Sequence, residues 1–101
     1  MSNENSVPRL SRPSAAEKRR LALEALGDGE EARRKTVYQS IAVAAGVPYE
    51  TLAHHGYVLQ DLRVAGLVER ISRGIYRITP MGTEWLRTGK PLTAASLRHP
   101  Q

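Results

Sequence analysis

The chain has 101 residues, 41% of them apolar, with one tryptophan, no phenylalanine and no cysteine. That supports a single domain on a modest core of Leu, Ile, Val and Ala, and it excludes disulfides, cysteine metal sites and thiol nucleophiles. Fifteen Lys and Arg against ten Asp and Glu give a net charge of +5, which favours a polyanionic partner, because neutralised phosphates release counterions.

Residues 1–13 carry Asn, Ser, Pro and two arginines and read as a flexible basic arm. Ser14-Ala-Ala-Glu17 has capping-box spacing, so that hydroxyl and carboxylate can each satisfy a free backbone N–H. Leu21, Ala22, Ala25 and Leu26 follow as an apolar stripe and Gly27 as a stop, predicting a first helix over 15–26. On it, Lys18-Arg19-Arg20 reads as a solvated face balanced in part by Glu17 and Glu24. Asp28-Gly29 is a turn signal. Val37, Ile41 and Ala45, spaced i, i+4, i+8 and closed by Gly46, predict a second helix over 36–45, with a short strand ahead of it at 32–34.

Pro48 opens a third helical segment, in which Leu59, Leu62 and Ala65 face the core and Gly66 is the stop. More chain lies between Gly46 and Gly66 than a turn and one recognition helix require. Two layouts stay open: one helix over 48–65, or a turn over 48–54 before a helix starting near His55. Leu67 to Ile71 and Ile75 to Ile78 are rich in β-branched residues and flank Ser72-Arg73-Gly74, which predicts a hairpin. With Arg73-Gly74 as its turn, Ile71 would oppose Tyr76 and Arg70 would oppose Arg77. Thr79-Pro80 opens a last helix with Met81, Trp85 and Leu86 inward, and residues 89–101 read as a loose tail. The resulting order is that of a winged helix-turn-helix over residues 14–88, mainly α with a small β-hairpin.

Placed on a helix with Leu62 inward, Tyr57, Gln60 and Val64 point outward, with Arg63 on one flank and His54 on the other. Gln60 has the donor and acceptor needed to pair with adenine, and Tyr57 can bond a phosphate or stack on a base. Tyr49 and Thr51, earlier in the same segment, join the candidates. Arg70, Arg73 and Arg77 form the wing; two like charges facing each other cost stability unless an anion lies over them. From residue 70 onward the chain has six basic residues and one acid, Glu84. Lys35 and Thr36 begin a helix, where backbone N–H groups favour a phosphate. Arg9 and Arg12 could enter a minor groove as an arm. The bland reading of every one of these is an ordinary solvated face.

His54 and His55, adjacent on a helix, point about 100° apart, so they do not form a metal pair. No nucleophile–base or carboxylate pair stands out, which leaves neither an enzyme nor a cofactor in the reading. No apolar run approaches the roughly 20 residues that span a bilayer, and residues 1–9 lack the layout of a secretory leader. A cytoplasmic, nucleoid-associated protein without membrane contact is the expectation.

From Leu21 to Leu86 the chain resembles the N-terminal winged-helix domain of Mrr-type restriction endonucleases. The likeness rests on Leu-Gly-Asp-Gly at 26–29, Arg-Arg-Lys-Thr-Val-Tyr at 33–38 and Gly56-Tyr57. It continues in Leu-x-x-Ala-Gly-Leu at 62–67, Arg73-Gly-Ile-Tyr-Arg-Ile-Thr79 and Gly82. The resemblance implies a DNA-binding domain that delivers a nuclease. The nuclease itself is not implied, since the chain has no Asp…Glu-x-Lys cluster. The expected function is therefore a stand-alone, sequence-specific binder of double-stranded DNA, most simply a transcriptional regulator acting by occupancy. A protein-interaction module and an accessory subunit of a restriction or defence system are the alternatives. Partners such as a polymerase, a nuclease or a second copy stay open.

Overall fold

The computed structural model describes residues 13–53 and 57–98. Among the described residues, six helices and three short strands follow in the order α1 (Ala15–Ala25), β1 (Ala32–Arg33), α2 (Arg34–Ala45), α3 (Tyr49–Ala53), α4 (Val58–Val64), β2 (Val68–Ser72), β3 (Ile75–Ile78), α5 (Pro80–Thr88) and α6 (Ala94–Arg98). The fold is mainly helical with one three-stranded antiparallel sheet in the order β1-β3-β2.

Local chemistry sets most boundaries. Ser14 Oγ accepts the Glu17 N–H at 3.1 Å, starting α1. Asp28 Oδ1 accepts from the Glu30 N–H at 2.9 Å, and Gly29, at φ 83°, turns the chain toward β1. Gly46 adopts the left-handed conformation, and the Val47 N–H reaches back to the Ala42 carbonyl, closing α2 as a Schellman-type stop. The second of the two layouts for the next segment is the observed one in outline: a short α3 precedes α4, which begins at Val58 rather than near His55. Residues 54–56 lie outside the described residues.

One apolar core joins these elements. Leu23 and Leu26 from the end of α1, Val37, Tyr38 and Ile41 from α2, Leu59 and Leu62 from α4, and Leu67 and Val68 at the start of the hairpin are all at most 2% exposed. Each such aliphatic side chain contributes about 1.5–3 kcal/mol by leaving water. Trp85 from α5 is buried with them, whereas Met81, expected to turn inward, is 44% exposed and lies beside Gly66. Position 81 in the first turn of α5 overhangs the core's edge instead of facing it. At the root of the hairpin, Thr79 Oγ1 donates to the Gly66 carbonyl at 2.7 Å and accepts the Gly82 N–H at 3.1 Å. A Cβ on Gly82 would stand 2.1 Å from the Leu67 carbonyl oxygen, so only glycine lets α5 approach the chain there.

Two expectations for polar segments are corrected by packing. The stretch read as a loose tail carries α6, and Leu92 is 4% exposed within the core. Arg19, read as part of a solvated face, holds that stretch down: its guanidinium donates to the Leu92 carbonyl at 2.7 Å and to Asp61 of α4 at 3.1 Å. Its side chain is only 11% exposed, because the aliphatic stem and the two acceptors draw it between α1, α4 and the returning chain.

Candidate nucleic-acid interface

The hairpin departs from the expected register. Arg70 faces Tyr76 and Glu69 faces Arg77, while Ile71 is skipped in a bulge before Ser72 pairs with Ile75. The extra residue in β2 leaves the pair next to the turn in place and moves every pair beyond it by one. Arg70 therefore does not oppose Arg77, and the like-charge argument for an anion above them falls. Arg77 is instead held by acids: its Nη2 lies 3.0 Å and its Nε 3.2 Å from Glu69 Oε2, with Glu31 Oε2 at 4.0 Å from Nη1. Opposite charges across strands stabilise this face. Of the three wing arginines, Arg77 is thus partnered within the protein, and Arg70 and Arg73 are exposed with no ion-pair partner among the described residues.

The tip of the hairpin does not project freely. Arg33 pairs with Ile75, and the backbone N–H of Arg34 donates to the Gly74 carbonyl at 2.8 Å. This bond has a clear local cause. The residue before α2 is Arg33, whose side chain makes no capping bond, so the first free N–H of the helix takes its acceptor from the hairpin turn. Gly74, at φ 74°, supplies the backbone conformation that closes the turn. The consequence is a cluster: Arg33, Lys35 and Thr36, all exposed, stand at the start of a 12-residue helix beside exposed Arg73. Arg34 turns away from solvent, its guanidinium carbon 4.6 Å from the centre of the Tyr38 ring.

The helical part of the candidate set splits between two short elements. Gln60 and Arg63 are exposed on α4, joined to each other by an Arg63 Nη2 to Gln60 Oε1 bond of 3.2 Å. Tyr57 is 72% exposed just ahead of α4, and Val64 is 75% exposed at its end. Tyr49 and Thr51 on α3 are half-buried, and Tyr49 packs against the core. His54 lies outside the described residues. The start of α4 is set from α2: the Val58 N–H donates to the Tyr38 hydroxyl at 3.2 Å. Burial raises the pKa of that phenol above its ordinary value, against the opposing pull of the Leu59 and Val58 N–H groups and Arg34.

Two residues of this region, Arg33 and Tyr38, carry no local signal that singles them out. Arg33 enters the sequence reading only within Arg-Arg-Lys-Thr-Val-Tyr at 33–38, and its place beside the hairpin tip follows from β1 pairing with β3, which two residues of strand do not announce. Tyr38 was placed only as a member of Arg-Arg-Lys-Thr-Val-Tyr. A tyrosine at a fully buried helical position, where phenylalanine would fill the space, is the signal that could have found it. Among the described residues no cluster of His, Asp and Glu could hold a metal ion, and no helix is long and apolar enough to cross a membrane.

No family model matches the chain, nor does any curated protein or solved structure.

Proposed function

We propose that this protein binds double-stranded DNA as a small winged helix-turn-helix module. The single observation that carries the reading is the joining of the hairpin tip to the start of α2, which collects Arg33, Lys35 and Arg73 on one exposed surface without an acid among them. Guanidinium and ammonium groups there, together with an α2 N-terminus that no side chain caps, suit the phosphate backbone. Arg70 adds a further cation on β2.

In this reading α3 and α4 together take the part of the recognition element, with Tyr57, Gln60, Arg63 and Val64 toward base edges. The exposed Val64 suits a thymine methyl and Gln60 an adenine. The protein acts by occupancy, as a transcriptional regulator on the nucleoid, and the likeness to Mrr-type N-terminal domains agrees with a DNA-directed role. Arg77 is left out of the contact set because Glu69 and Glu31 already hold it.

A second reading has its own observation. Residues 36–49 contain no charged side chain, and Val43 within them is 83% exposed. An uncharged, partly apolar helix face suits a protein partner, which would make the domain an interaction module or an accessory subunit. Titration of random-sequence duplex at low salt separates the two. The DNA reading expects binding that weakens linearly on a log–log salt plot; no retention on any duplex at low salt refutes it and favours the protein partner.

A further inference from the structure

We infer that Tyr38 is a positioning residue for DNA recognition: its hydroxyl fixes where α4 begins relative to the hairpin tip, and so governs discrimination between DNA sequences. The inference rests on the DNA reading above and goes beyond it by assigning specificity to a residue that touches no DNA.

Three contacts carry it. Tyr38 is 1% exposed, so its ring serves the core as phenylalanine would, and its hydroxyl needs a separate reason. That hydroxyl accepts the Val58 N–H at 3.2 Å, across 20 residues of chain. No side chain of Tyr57 caps α4, so the first donor of this seven-residue helix is met from α2 instead. One turn earlier on α2, Arg34 lies over the Tyr38 ring at 4.6 Å, and its backbone N–H holds the Gly74 carbonyl at 2.8 Å. One path from the hairpin tip to the first N–H of α4 thus runs through Arg34 and the Tyr38 side chain. Raised by burial, the phenol stays neutral at physiological pH and keeps its oxygen available as an acceptor.

The two kinds of DNA contact respond differently to a displaced helix. Cations near phosphates tolerate small shifts, whereas a bidentate base contact does not. Loss of the Tyr38 hydroxyl should therefore lower specificity and spare general affinity.

The test is Tyr38→Phe, which keeps the ring and deletes the oxygen. Three quantities are read: amide exchange at Val58, affinity for a duplex selected from a random pool against a scrambled duplex, and the salt slope on each. Expected are faster exchange at Val58, a fall of about tenfold in the selected-to-scrambled ratio, the scale of one base contact, and unchanged scrambled affinity and slope. Ile41→Val, which loosens the same helix without touching the hydroxyl, should leave the ratio alone. An equal fall in that control, or an unchanged ratio or unchanged Val58 exchange in Tyr38→Phe, overturns the inference while leaving the DNA reading intact. Failure of the unsubstituted protein to bind any duplex overturns the reading beneath it, and the inference with it.

Discussion

Two parts of one hairpin carry arginines that meet opposite surroundings. Along the strands, Arg77 sits between Glu69 and Glu31, one on each neighbouring segment, and its charge is answered inside the molecule. At the tip, which is bonded to the start of α2, Arg73 stands beside Arg33 and Lys35, and none of the three forms an ion pair among the described residues. The same side chain is thus a structural cross-strand partner at one place and an available cation at another. Residue type does not decide which; strand register does, and here the bulge at Ile71 sets it.

The comparison can be broken at its base. Gly82→Ala puts a Cβ into the Leu67 carbonyl and the Ile78 side chain, neither of which can give way without moving the hairpin root. We expect a loss of at least about 3 kcal/mol in denaturant unfolding, and disruption of tip and strands alike. Arg19→Ala should cost less, about 2–3 kcal/mol, by stranding the Leu92 carbonyl and removing packing between α1 and α4. Its effect belongs to the helical side, so hairpin amide exchange should change little; equal loss of protection in the hairpin would count against separate anchoring.

A smaller effect comes from pH. Tyr38 has a folded-state pKa raised above 10.0 by burial, so the unfolded chain gives up that proton first as pH rises. Its contribution to stability is complete below pH 10 and declines as pH climbs toward the folded value. Tyr38→Phe should remove that part of the alkaline decline, and an identical pH profile in the variant would argue against a buried phenol. Smallest is a gain. Glu69→Gln with Glu31→Gln frees Arg77, and the log–log salt slope on random duplex should steepen by up to about 0.9. No change would mean that Arg77 faces away from the nucleic acid.

Much of the helical layout was legible because it rests on local signals. The Ser14 cap, the Gly46 and Gly66 stops and the Thr79-Pro80 start each act within a few residues, and the structure has them. Outward placement of Gln60 and Val64 followed from helical periodicity once Leu62 was set inward. What failed was non-local. A bulge adds one residue with no change in composition, so Arg70 and Arg77 were placed face to face. Arg19 and Leu92 lie far apart in sequence, and neither a lone basic residue in a charged run nor a leucine after Lys90-Pro91 reveals the contact. The link from Gly74 to Arg34 depends on β1 finding β3, which needs the folded sheet. The division of the candidate residues into free and partnered cations, and the place of Arg33 beside the hairpin tip, were therefore not readable from the sequence.

The most direct measurement is the salt dependence of binding to random duplex for three proteins: the unsubstituted chain, Lys35→Ala/Arg73→Ala, and Arg77→Ala. The account predicts that the double substitution flattens the log–log slope by about 1.8, while Arg77→Ala leaves it unchanged. A slope altered by Arg77→Ala and untouched by loss of Lys35 and Arg73 would contradict it.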